Sequence, residues 1–160
     1  MVDSRTESFK FLGHEFKPGG WITPSTKAIK KFEERVREIT RRNQTVNVEQ
    51  LVKKKLNPYI RGWGNYFGRS DAKKIFTRYD AWIRRRLRMV QLRSWKKTRK
   101  LHRERRCRGW KGNELPRLRM TAWRSSREAH VNFDLPNTWF KDIGLCSLID
   151  IYNELHPQRG

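Results

Sequence analysis

The densest chemistry in the sequence is cationic. Arg84-Arg85-Arg86, Arg88 and Arg93 lead into Trp95-Lys96-Lys97, Arg99-Lys100, Arg105-Arg106 and Arg108, and residues 84–111 carry 14 Lys+Arg against one acid, Glu104. Guanidinium and ammonium groups contact phosphate, and planar side chains stack on unpaired bases. Trp95 and Trp110 interrupt the run. A purely electrostatic tail has no need of tryptophan, so these two either pack locally or stack on bases. The expected contact set is Arg61, Arg84, Arg85, Arg86, Arg88, Arg93, Trp95, Lys96, Lys97, Arg99, Lys100, Arg105, Arg106 and Arg108.

Catalytic chemistry has far less to stand on. His14, His102, His130 and His156 show no paired spacing suited to a metal, and Cys107 and Cys146 form no CxxC pair. No GxxxxGK phosphate loop occurs. A polymerase or nuclease needs carboxylates holding two divalent ions about 4 Å apart. Asp71 and Asp80 stand nine residues apart on one expected helix, two and a half turns, so they cannot form such a pair. Asp71 reads better as the partner of a helix dipole. The expectation is a binding protein with no metal and no cofactor.

The whole chain repeats the pattern, with 38 Lys+Arg against 16 Asp+Glu, a net charge of +22 on 160 residues. Such charge opposes compaction unless a polyanion neutralises it, and phosphate backbones attract it regardless of sequence. An anionic membrane is the rival polyanion. No run of about 18 apolar residues could span a bilayer, and no basic helix shows the wide apolar face of a membrane-surface helix. Residues 1–10 lack the apolar core of a secretory signal. Free thiols then fit a cytoplasmic setting. Seven Trp, 8 Phe and 4 Tyr are too many large side chains for a disordered tail.

The positioning elements read as mainly α. Phe9–Phe16 is aromatic and partly alternating, a strand, and Lys17-Pro18-Gly19-Gly20 turns it back into Trp21-Ile22 as a small hairpin. Thr23 as N-cap and Pro24 at the first position open a helix whose stripe is Ile29, Phe32, Val36 and Ile39. Asn47 with Gln50 resembles a capping box for a second helix, which Pro58 should kink or restart. Gly62, among Trp63, Tyr66 and Phe67, suggests close backbone approach. Ser70 and Asp71 should start a long helix with a core stripe of Ile75, Tyr79, Trp82 or Ile83, Leu87 and Val90. Ser147 with Asp150 opens a last helix lined by Leu148, Tyr152 and Leu155, which Pro157 stops. His14 is expected on a strand and His156 at a helix C-terminus. Residues 118–133 give no clear pattern.

At Leu56-Asn57-Pro58-Tyr59-Ile60-Arg61-Gly62-Trp63-Gly64-Asn65-Tyr66-Phe67 the chain resembles the group II intron maturase-specific domain, which carries an "LNPxxRGWxNYF" pattern ahead of a long basic helix. Phe11-Leu12-Gly13-His14 resembles the FLG strand that ends the palm of these reverse transcriptases. Leu135-Pro136-Asn137 and Gly144-Leu145-Cys146-Ser147-Leu148 are similar to their closing segment. The resemblance covers roughly residues 9–155. It implies an end-of-palm hairpin remnant over 1–22 and a helical thumb and maturase-specific domain over 23–160. Intron RNA would be the partner, bound to assist splicing, and a template–primer duplex would be held. The YxDD motif of the polymerase centre is absent, since Tyr79-Asp80-Ala81 does not match it. The fingers and most of the palm would lie before Met1, and the lack of a CxxC or HNH segment resembles lineages without an endonuclease. Two alternatives stand beside this reading. One is a subunit of a split RNA-directed DNA polymerase, completed by a separate fingers–palm chain. The other is a generic basic nucleic-acid binder.

Overall fold

Two short reversals shape the N-terminal residues of the computed structural model, which describes residues 8–41, 43, 45–95, 98–107 and 129–157. Leu12 and Gly13 both take positive φ, 48° and 80°, as a two-residue hairpin turn of the primed type requires. They split the aromatic stretch expected as one strand into β1 (Phe9–Phe11) and β2 (His14–Lys17). Gly19 and Gly20, at φ 90° and 82°, return the chain into β3 (Trp21–Pro24). The hairpin of the sequence reading is therefore one half of a three-stranded antiparallel sheet, with Phe9 opposite Phe16 and His14 opposite Pro24.

That pairing moves the next boundary. Pro24 is held in the sheet, so Ser25 caps α1 (Thr26–Ile39), accepting from the Ala28 N–H at 3.2 Å. The expected cap at Thr23 falls inside β3. Phe32, Val36 and Ile39 are buried along α1, as their spacing requires.

Asn47 caps α2 (Val48–Leu51) through the Glu49 N–H. The helix then widens into a π-helical segment, Val52–Leu56, before α3 (Asn57–Phe67). Pro58 supplies the cause. It has no N–H for the carbonyl one turn back, and the ladder absorbs the missing donor by a wider turn in place of a kink. Asn57 sits buried at the junction. Its Nδ2 donates to the Gly144 carbonyl at 2.7 Å, and its Oδ1 accepts from the Cys146 N–H at 2.9 Å.

Ser70 and Asp71 are not the cap of the long helix α4 (Lys73–Trp95). Ser70 Oγ donates back to the Phe67 carbonyl, and Asp71 exchanges two bonds with the Ile22 backbone, tying sheet to helices. The carboxylate that faces a helix N-terminus is Asp80. It accepts from Ser147 Oγ at 2.6 Å and from the Leu148 and Ile149 N–H groups at 2.8 and 3.1 Å, which open α8 (Leu148–Leu155). Between them lie α5 (Thr98–Cys107), α6 (Ala129–Asp134) and α7 (Asn137–Asp142).

The main core is aromatic: Phe32 lies 4.3 Å from Trp63 centroid to centroid, with Phe67, Phe76 and Tyr79 around them. Gly62 does not serve this packing, since no atom lies within 4 Å of where its β-carbon would be. The close approach is at Gly64 and, one turn beyond it, Gly68. A β-carbon on Gly64 would stand 2.9 Å from Ile151 Cδ1, and one on Gly68 2.6 Å from Leu155 Cδ1. These two glycines let α8 lie against α3. His14 lies on β2, and His156 caps α8, with its ring 2.8 Å from the Gly68 carbonyl. A second, smaller core joins Leu92 and Trp95 of α4 to Val131 and Leu135.

Candidate nucleic-acid interface

Acids and bases are distributed unevenly over this scaffold. Among the described residues the ion pairs are Arg35–Glu38 and Arg37–Glu33 on α1, and Lys53–Glu49 at α2 and the π-helical segment. Glu33 also accepts from the Tyr79 hydroxyl at 2.7 Å, which holds its carboxyl below the ordinary range. The same contact, behind burial as the larger cause, pushes Tyr79 up to about 12. Asp80 and Asp71 are committed to backbone N–H groups.

On α4 the expected contact residues divide. Arg85 and Arg93 are exposed and Arg84 half-exposed. Arg86 turns inward to α1: its Nε donates to Thr40 Oγ1 at 2.6 Å, and its guanidinium reaches the Arg37 and Thr40 carbonyls. It satisfies the last carbonyls of α1 and lies 5.5 Å from the Trp82 ring, where Arg37 covers the same indole at 5.6 Å.

Arg88 departs furthest from expectation. It is 8% exposed, donates to the Leu135 carbonyl and to Asn137 Oδ1, both at 2.9 Å, and rests over the Phe140 ring. Burial, then repulsion by Arg84 and Arg85, lowers its pKa. The residue clamps α4 to the α6–α7 junction, its Nε–Nη2 edge committed and the side chain too buried to meet phosphate. Trp95, 6% exposed, is likewise a core residue and offers no free ring face for stacking. Periodicity held the clue: Arg88 and Trp95 are seven residues apart, with Leu92 between them, on a stripe that turns toward α6.

Beyond α4, Arg99, Lys100, Arg103 and Arg106 are exposed on α5, which also carries Arg105. Arg103 was absent from the expected set, although Arg99, Arg103 and Arg106 recur at helical spacing along one face. Lys54, Lys55, Arg69, Lys73, Lys74 and Arg78 are also exposed cations and stood outside the expected set, because they are scattered in sequence away from the dense run. Arg61 is exposed on α3 beside Cys146, whose thiol burial pushes up and Arg61 partly restores. Lys96, Lys97, Arg108 and Trp110 lie outside the described residues.

A family model for the group II intron maturase-specific domain matches residues 29–111, 83 of the 160. The chain belongs to that family. No curated protein matches it. The maturase-specific match runs from α1 through α5 and takes in both Asn57 and the basic helix. The sheet before it and α6–α8 after it lie outside the match, yet α8 completes the core against Gly64. Among the described residues no His, Cys, Asp or Glu cluster could hold a metal, and no helix is long and apolar enough to cross a membrane.

Proposed function

We propose that this maturase-specific domain binds structured group II intron RNA, assisting its folding for splicing and holding a template–primer duplex. The observation that carries the reading is a run of exposed cations on α4 and α5 without carboxylate partners among the described residues, in a stretch, 84–111, that holds one acid. Arg84, Arg85, Arg93, Arg99, Lys100 and Arg106 are the proposed phosphate contacts, with Arg61 and Arg103 extending the surface. Residues 1–22 then correspond to the end of a palm and 23–160 to thumb and maturase-specific domain. The chain acts as a binding protein without a polymerase centre of its own, in the cytoplasm.

Competition binding tests this. Intron RNA should be retained against an excess of duplex DNA, and log affinity should fall linearly with log salt by about 0.7–0.9 per phosphate neutralised. Equal competition by duplex DNA would reduce the chain to a generic basic binder.

One observation favours a second reading, a subunit of a split RNA-directed DNA polymerase. Phe11 on the edge strand β1 and Leu12 in the turn after it are 62% and 69% exposed, an apolar corner that a fingers–palm chain could cover. Co-expression with such a chain and a pull-down would decide it.

A further inference from the structure

A cleft of about 460 Å³ opens where α4, α5, α7 and the chain ahead of α2 meet. Its volume falls within the roughly 300–1,000 Å³ of ordinary ligand sites. Trp139 forms an aromatic wall, half-buried and packed against both cores, and the buried Trp95 also lines the cleft. Gln91 and Ser94 line the α4 side, and neither side chain has a hydrogen-bond partner among the described residues. Lys100 and Glu104 close the cleft from α5.

Two carboxylates line the cleft; Glu49 is paired with Lys53, so Glu104 decides what the cleft selects. It is the single acid in residues 84–111, surrounded in sequence by 14 Lys+Arg. Lys100 lies one turn back, where the two side chains could pair. Yet Glu104 makes no ion pair among the described residues and lines the cleft. A carboxylate there repels phosphate. It accepts only, so it matches a ligand that presents N–H groups. An aromatic wall, an amide that can both donate and accept, and an accepting carboxylate are the groups that read an unpaired base, which RNA-binding proteins stack and hydrogen-bond along its edges. Arg93, next to Ser94, and Arg99 and Arg103, next to Lys100 and Glu104, are exposed and would hold the neighbouring phosphates.

We infer that this cleft receives one unpaired, amino-bearing nucleobase of the bound RNA, guanine foremost, with Glu104 accepting from the ring N–H and amino group and Trp139 packing on the base. The inference rests on the RNA-binding reading above and deepens it by naming a base-specific site.

The test uses the full chain and end-labelled RNA hairpins that differ only in one bulged nucleotide, G, A, C or U, with a fully paired hairpin as reference. Fluorescence anisotropy at fixed salt should show the G bulge bound about tenfold tighter than the U bulge, a ratio within the reach of one bidentate base contact. Glu104→Gln keeps the shape and should bring that ratio close to one, leaving the salt slope and the melting temperature unchanged. Gln91→Ala should reduce it as well, by a smaller factor. Equal affinity for every bulge, with a normal salt slope, would overturn the base site and leave RNA binding standing. Salt-independent or absent binding of all hairpins would instead overturn the RNA reading itself. Guanosine monophosphate competing as strongly as the G-bulged hairpin would overturn the assignment in favour of a free-nucleotide site.

Discussion

Asp80→Ala should destabilise the fold strongly through α8, an element Asp80 does not belong to. The carboxylate is 5% exposed and holds the first turn of α8 by three accepted bonds, from Ser147 Oγ and from the Leu148 and Ile149 N–H groups. Removing it leaves two helix-initiating donors without a partner, and the Leu148 bond is buried. An unsatisfied buried donor costs about 1–3 kcal/mol, and loss of the favourable charge at a helix N-terminus adds about 0.3–1 kcal/mol. Partial access of water at Ile149 lowers the sum, so a loss of about 3 kcal/mol is expected. That is a large share of the roughly 5–15 kcal/mol that stabilises an ordinary domain. Asp80→Asn keeps an acceptor but not the charge, and about 1–2 kcal/mol is expected. Urea unfolding followed by circular dichroism measures both: with a slope of about 1–3 kcal/mol per molar, the Ala variant should shift the midpoint down by 1 M or more. A midpoint within about 0.2 M of wild type would refute the role assigned to Asp80.

Arg88→Ala should destabilise the fold by about 2–4 kcal/mol, because the Leu135 carbonyl and Asn137 lose a charged donor inside the protein. Arg85→Gln should leave the melting temperature alone and flatten the salt slope of RNA binding by slightly less than one unit; the opposite pattern would interchange the two roles. Gly64→Ala should cost about 1–3 kcal/mol by overpacking against Ile151, whereas Gly62→Ala, in open space on a helix, should stabilise by about 0.5–1 kcal/mol. Tyr79 has its folded pKa raised from 10 to about 12. Its contribution to stability is therefore complete below pH 10 and lost as pH climbs toward 12. Ultraviolet titration should show one tyrosine ionising near pH 12, and Tyr79→Phe should remove that step. Persistence of the step in the variant would show that another phenol carries it.

Helices were legible because their stripes recur over many turns, as in Phe32, Val36 and Ile39 or Ile83, Leu87 and Val90. The asparagine and serine caps of α2 and α8 are local chemistry and were legible too. Long-range demands were not. Pro24 looks like a helix-opening residue until β2 claims it, and Asp71 looks like a cap until Ile22 does. Gly62 and Gly64 look alike in sequence, and only the position of α8 distinguishes them. For the proposed site, charge density points to a stretch of chain, but it cannot separate an arginine aimed at solvent from one aimed at a carbonyl. Arg88 shows the difference. Phosphate and a buried backbone oxygen ask for the same fork.

Asn57 and Asp80 take their decisive partners from residues 144–149, separated from them by 67 to 89 positions along the chain. During synthesis, which proceeds at about 5–20 residues per second, α1 to α4 emerge seconds before anything can cover the face that α8 will occupy. In that interval Gly64 and the apolar side of Phe76 and Ile60 are open to solvent, and the Asn57 amide and Asp80 carboxylate are bonded only to water. A nascent chain of +22 beside ribosomal RNA, with an uncovered apolar groove, is exposed to misassociation until residue 149 arrives. Premature termination between 112 and 144 should therefore leave an aggregating fragment that holds the whole family-matched stretch, and a separately supplied peptide of residues 135–157 should rescue its solubility.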